Sequence, residues 1–177
     1  MILTENHKKL VIVNNEKIFN DKGEFYCDNL DIKSIPEGLK KDFDVLLISR
    51  KSKTKKSHNI ILKNVVASSN IFFFLFNIFK TCMQKKNIYL IVSITPFTFF
   101  AYLILFVFKK RVFVYLRSDG HEEYKHILGF YGPYLYSLMF KIVCWKAKLI
   151  ACRSHLLKGK LGKIVSPSQL SNKWFHS

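Results

Sequence analysis

Acidic residues are scarce in this chain and unevenly spread. Asp and Glu number 12 against 29 Lys and Arg. Beyond Asp44 only Asp119, Glu122 and Glu123 remain, all in the stretch Arg117-Ser118-Asp119-Gly120-His121-Glu122-Glu123. Residues 1–60 are nearly balanced, with twelve basic and nine acidic positions, whereas residues 61–177 carry seventeen basic positions against those three acids. Such a field excludes a surface for cationic partners over most of the chain and attracts anionic lipid, nucleic acid or phosphorylated ligands. Drift toward Lys, Asn, Ile and Phe explains many of the lysines but not the missing acids.

Glycine is also sparse, at 7 of 177 residues. No GxxxxGK[ST], GxGxxG or GxSxG string occurs, so three common nucleotide and hydrolase sites lack support. The stretch after the first strand, Asn14-Asn15-Glu16-Lys17, is read as a loop and holds no glycine. The 4 cysteines make no CxxC pair and the 6 histidines no HxxxH or HExxH. That pattern argues for reduced thiols in a cytosolic setting, with no metal site and no bound cofactor. The N-terminal segment is not read as a signal peptide, because its apolar run starts only at Leu10 and lasts four residues.

Charge is absent altogether from residues 87–108, between Lys85-Lys86 and Lys109-Lys110-Arg111. The run is long enough to span a bilayer. Pro96 sits near its centre, however, and its halves differ in character. Residues 88–93 are β-branched and aromatic, as a buried parallel strand should be. Residues 97–108 suit a core helix with Thr95 as cap and Pro96 at the first helical position. Strand, turn and helix is the expectation, and a membrane span the alternative. Residues 71–79 are too short to cross and read as a helix, either buried or pressed onto a membrane.

What is present is an apolar fraction of 49% and an aromatic fraction of 15%, which exclude a disordered chain and suffice for one domain. Apolar strands are expected at residues 10–13, 45–48, 88–92, 112–116 and 149–151, with weaker ones at 24–27 and 59–62. Helical stretches begin at Ser34, Ile71, Phe97 and Glu122, the last interrupted by Gly132-Pro133. Strands alternating with helices predict an α/β fold, a doubly wound parallel sheet with helices on both faces. Residues after 164 lose periodicity and read as a linker. The basic run Arg50, Lys51, Lys53, Lys55 and Lys56 reads as a solvated loop.

The isolated acids follow a predicted strand, and open α/β sheets bind ligands beyond the carboxyl ends of their strands. Asp119 with Glu122 three positions on also resembles a capping box, although Ser or Thr is the usual cap. Both readings stand, since a capped helix can present its first turn to a ligand. Gly120 is expected to supply the turn.

Several strings resemble the N-terminal half of GT-B glycosyltransferases of the glycosyl-transferase family 4 type. They are Lys9-Leu10-Val11-Ile12-Val13, Phe43-Asp44-Val45-Leu46-Leu47-Ile48-Ser49-Arg50 and Val112-Phe113-Val114-Tyr115-Leu116-Arg117-Ser118-Asp119-Gly120. Ala147-Lys148-Leu149-Ile150-Ala151-Cys152-Arg153-Ser154 and Ile164-Val165-Ser166-Pro167-Ser168 complete the set. The resemblance implies a Rossmann-like, GT-B-type N-terminal domain over residues 1–163, then a linker over 164–177 toward a C-terminal donor-binding domain absent from this chain. It implies a glycan or lipid-linked acceptor, with the nucleotide-sugar bound only through a missing or separate domain. Asp119 and Glu123 would position or deprotonate an acceptor hydroxyl. Arg117, Ser118 and His121, with Asn14 and Asn15 after the first strand, would bind the acceptor. Peripheral attachment to an anionic membrane surface, on its cytoplasmic side, is the expected location. The competing readings are a non-catalytic, membrane-associated binding module keeping the fold, and a basic protein whose charge is its function. Nucleic acid is not an expected partner, because the aromatics lie in continuous apolar runs instead of alternating with basic residues.

Overall fold

The computed structural model describes residues 8–165. The N-terminal segment before Lys8, not expected to be a signal peptide, and all but the first two residues of the expected linker lie outside the described residues. Seven parallel strands form the frame: β1 (Lys9–Asp21), β3 (Asp44–Lys51), β5 (Asn64–Ser68), β6 (Ile88–Val92), β7 (Arg111–Leu116), β8 (Lys148–Ala151) and β9 (Gly162–Ile164). Their spatial order is β5-β3-β1-β6-β7-β8-β9, all neighbours parallel. The five strands expected to be central are all present. The direction of winding reverses between β1 and β6, which is the switch point of a doubly wound sheet.

Strand periodicity explains the two cores. Val11 and Val13 of β1 face one side with Tyr89, Ile91 and Val114, beneath helices α2 (Ile71–Cys82), α3 (Pro96–Val107) and α5 (Gly132–Cys144). Leu10 and Ile12 face the other side with Val45, Leu47, Leu90 and Val92, where α1 (Leu30–Leu39) contributes Ile32. Strands buried on both faces need no polar alternation, so they read as unbroken apolar runs.

Residues 87–108 form β6, a turn and α3, so the single-span alternative is overturned. Thr95 caps α3 in a reciprocal capping box with Thr98, and Pro96 opens the helix as expected. Three further differences have physical causes. The stretch Asn14-Asn15-Glu16-Lys17 is not a loop. β1 slips register between Val13 and Lys17 and continues as a hairpin with β2 (Glu24–Cys27). Lys22 and Gly23 turn that hairpin with both φ positive, at 48° and 97°, matching a two-residue turn with the right-handed strand twist. β2 in turn pairs antiparallel with β4 (His58–Ile60), so that segment is a flap and not part of the parallel sheet. α1 begins at Leu30, ahead of Ser34, because the Asn29 side chain accepts from the Asp31 amide and caps it. Edge strands β5 and β9 were not anticipated; their sequences are short and only part-buried or exposed.

α4 (Gly120–Leu128), a 3₁₀ turn (Gly129–Tyr131) and α5 follow β7. By length and composition Gly120–Cys144 could cross a membrane. The chain instead folds back, since the Tyr124 and Tyr136 rings lie 5.5 Å apart, against about 18 Å for twelve residues of one straight helix. Gly120 serves that packing rather than a turn, because a Cβ there would meet the Tyr136 ring at 2.0 Å. At Gly132 a Cβ would meet the Tyr124 carbonyl oxygen at 1.9 Å. Backbone cannot rotate away as a side chain can, so Gly132→Ala should destabilise by about 2 kcal/mol or more. Gly38→Ala, where no atom lies within 4 Å, should be neutral or stabilising by about 0.5 kcal/mol. Urea denaturation of the pair checks both signs.

Candidate functional site

The carboxyl ends of β1, β6 and β7 meet around a cleft of about 240 Å³. Its walls include Asn14, Asn15, Glu16, Ser93, Arg117 and Glu123. A larger groove of about 780 Å³ lies at the opposite end of the strands, against Leu10, Phe43 and Phe113. Its lining is mainly apolar, with Lys8, Lys41, Asp42 and Arg111 among it, and open α/β sheets bind ligands at the carboxyl ends of their strands, which places the candidate chemistry in the smaller cleft.

The register slip in β1 builds the first wall. Asn14 is 2% exposed, and its Oδ1 accepts from the Glu16 amide at 2.7 Å. Its Nδ2 is buried and has no partner. Across the switch point, Ser93 ends β6 with φ of 62°, a left-handed conformation in a non-glycine residue. The Ser93 amide donates to the Tyr115 carbonyl, and its carbonyl accepts from the Thr98 hydroxyl. Its own hydroxyl is buried without a partner. Strain of this kind persists where surrounding structure over-determines it, often at ligand sites.

Arg117 ties the elements together. One guanidinium nitrogen lies 3.3 Å from Asp31 of α1 and the other 3.6 Å from Glu16 of β1. Asn29 donates to the same Glu16 carboxylate. Arg50, at the end of β3, donates to Asn15 and stacks 4.3 Å over the Phe97 ring. A second hollow beyond Asn15 and Glu16, of about 660 Å³, holds Lys17, Asp28 and Lys56, and there Lys56 is paired to Asp28.

Of the residues expected from sequence, the structure brings Asn14, Asn15, Arg117, Ser118 and Glu123 together on the cleft. Asp119 and His121 turn elsewhere. Asp119 Oδ1 accepts from the His121 amide and caps α4, while Oδ2 accepts from Lys158 at 2.6 Å. The His121 ring places Nδ1 3.3 Å from Asp119, without hydrogen-bond alignment, and Nε2 3.0 Å from the Ser137 hydroxyl. Its ring packs 4.7 Å from Tyr136. Ser93, Glu16, Asp31 and Arg50 escaped the sequence reading. The signal for Ser93 was its place at the end of a predicted strand before Thr95-Pro96, but only the sheet order makes that the switch point.

No metal-binding group of three or more His, Cys, Asp or Glu occurs among the described residues. All four cysteines are free. Burial pushes the Cys27 and Cys144 thiols up to about 11, so neither supplies a nucleophilic thiolate near neutral pH.

No protein-family profile and no curated protein matches this chain. Among solved structures it resembles UDP-N-acetylglucosamine 2-epimerase from Rickettsia bellii, with a TM-score of 0.50 and 11% identity. The match covers 86% of this chain and 41% of that one, so this chain spans less than half the length of its structural neighbour. At that identity the likeness is one of fold: a Rossmann-like, GT-B-like α/β domain. Glycosyl-transferase family 4 membership is not carried by it.

Burial opposes ionisation of Asp119, but the Lys158 hydrogen bond, the His121 amide and their charges outweigh it and hold its carboxyl below the ordinary value. A lowered folded-state pKa stabilises above the unfolded value, near 3.9, and that contribution is lost as pH falls through the folded value. The stability gap between the wild-type protein and Lys158→Met should therefore be widest above about pH 4 and close on further acidification. Thermal melts across the acid range check this. Asp119→Ala should cost about 1 kcal/mol, and Asp119→Asn far less, because Asn also caps well.

Proposed function

We propose that this chain is the acceptor-binding half of a GT-B-type glycosyltransferase that transfers a sugar from a nucleotide-sugar, completed by a donor-binding domain not present here. One observation carries the reading. The switch-point cleft offers two buried, unpartnered polar groups, Asn14 Nδ2 and the Ser93 hydroxyl, among an excess of carboxylates. Glu16 and Glu123 line it against Arg117, while Asp31 pairs with Arg117 and Arg50 donates to Asn15 from outside the lining. That balance disfavours a nucleotide diphosphate and suits the neutral hydroxyls of a sugar, which both donate and accept. The likeness to a domain of an enzyme named for UDP-N-acetylglucosamine supports sugar chemistry in general terms.

In this reading Glu123, exposed at the mouth of the cleft, orients or deprotonates the acceptor hydroxyl. Arg117, held between Glu16 and Asp31, supplies directed donors to ring or hydroxyl oxygens. Asp119 positions the loop by capping α4 and anchoring Lys158. The engagement of Asp119 also favours a second reading, a module that binds the sugar without transferring it.

Saturation-transfer NMR with methyl glycosides of glucose, galactose, mannose and N-acetylglucosamine, and separately with UDP, tests the assignment. At least one glycoside should bind and UDP should not. Ser93→Gly separates site from scaffold: it should stabilise the fold by about 1 kcal/mol by relieving the left-handed strain while weakening glycoside binding. Glu123→Gln should lower transfer with a reconstituted donor-binding partner and leave the fold unchanged. UDP binding at Arg117 without glycoside binding would overturn the reading. Glycoside binding without transfer by any partner would select the inert module.

A further inference from the structure

We propose that the corner joining α4 to α5 seats in an anionic lipid bilayer, delivering to the cleft an acceptor whose hydrocarbon end stays in the membrane. The acceptor part of this statement rests on the function proposed above; the seating does not. Gly120–Cys144 is as apolar as a membrane helix, yet only 28% of its most apolar window is buried. Folding back leaves that apolar surface facing outward. Ile127, Phe130, Tyr131, Tyr134 and Leu138 are between 57% and 78% exposed. Phe130 packs against both Tyr131 and Tyr134, with ring centroids 5.8 and 5.5 Å away. The corner is therefore an ordered aromatic knuckle. Along α5, Tyr134 and Leu138 form an outward stripe opposite the buried Tyr136, Phe140 and Val143.

Charge decides the occupant. Lys125 and Lys141 flank the knuckle, and no acidic residue occurs after Glu123. A second copy of the chain would bring like charges face to face, which opposes self-association. An anionic bilayer accepts the same pattern: tyrosine rings at the headgroup level, and lysine stems lying along apolar surface with their ammonium groups in the headgroups. Tyr124 and Ile127 line the cleft as well, so the apolar surface runs continuously from the corner to the site. α2 bears another exposed stripe, Phe72, Phe76, Phe79 and Met83, but none of these residues lines the cleft.

Flotation with phosphatidylcholine vesicles, with and without phosphatidylglycerol, tests the seating. The protein should float with the anionic vesicles and release as salt rises, since exposed charges are screened within about 8 Å at physiological ionic strength. The combined variant Phe130→Ser, Tyr131→Ser, Tyr134→Ser replaces exposed rings and should keep its circular-dichroism spectrum and melting. Its vesicle partition should fall about tenfold or more, because interfacial binding scales with buried apolar area. The matched variant Phe72→Ser, Phe76→Ser, Phe79→Ser should keep most of its partition. Failure of the wild-type protein to float, or loss confined to the α2 variant, would overturn the proposal. So would a wild-type dimer that the corner variant dissolves, which would make the corner a self-interface. Arg117→Gln should weaken glycoside binding but not flotation, so the site and the seating can fail independently.

Discussion

β1 hydrogen-bonds to β3 on one side and β6 on the other, and its side chains are buried on both faces from Leu10 to Asn14. With β6 it flanks the point where winding reverses, and the sheet order and both cores are built outward from it. Between Val13 and Lys17 β1 slips by two residues against β3 and runs on into a hairpin. The slip turns Asn14 and Asn15 toward the cleft, and the hairpin occupies the position where related folds keep a glycine-rich phosphate loop. Glu16 of this segment lines the cleft in its place.

Arg117 converts this geometry into a site. It is partly buried and joins β7 to α1 and β1 through Asp31 and Glu16. Removing one partner of such a group leaves the others uncompensated, which is costlier than the pair itself is stabilising. The acids of the first 44 residues are therefore not surface decoration alone: two of them hold the cation that lines the cleft. The basic excess lies elsewhere, on the later helices and the sheet's far end, where solvent screens it. Charge is segregated, with two acids and Arg117 at the cleft and the basic excess outside it.

The core was legible because burial on both faces leaves an unbroken apolar, β-branched run, as in Ile88–Val92 and Arg111–Leu116. Caps were legible where side chain and spacing agree, as at Thr95. The edge strands Asn64–Ser68 and Gly162–Ile164 were not, because each is short and only part-buried or exposed, so its apolar run is too brief to stand out. The hairpin was missed although Lys22-Gly23 marks it, since the flanking strand alternates only weakly. Half of the site followed from placing the acids after a strand. The other half, Ser93 and Glu16, depends on which strands are neighbours, and local pattern carries no such information. Asp119 was the most conspicuous residue of the sequence, and the structure commits its two oxygens to a helix cap and a lysine.

That division of labour reconciles the two readings of the acidic cluster. Asp119 and the first-turn acids Glu122 and Glu123 all lie at the positive end of the α4 dipole, where carboxylates are stabilised. In a chain this basic, helix α4 would start poorly without them. Of the three, Glu123 is the one that also lines the cleft. The same helix ends in the aromatic corner, so its two ends face two different environments. Five residues at about 1.5 Å each separate Glu123 from the helix end by roughly 8 Å. On the proposed seating, that length sets how far above the bilayer Glu123 stands, while Ile127 carries the cleft wall down to the corner. A helix start that the sequence advertises as a cap thereby becomes the ruler between membrane and site.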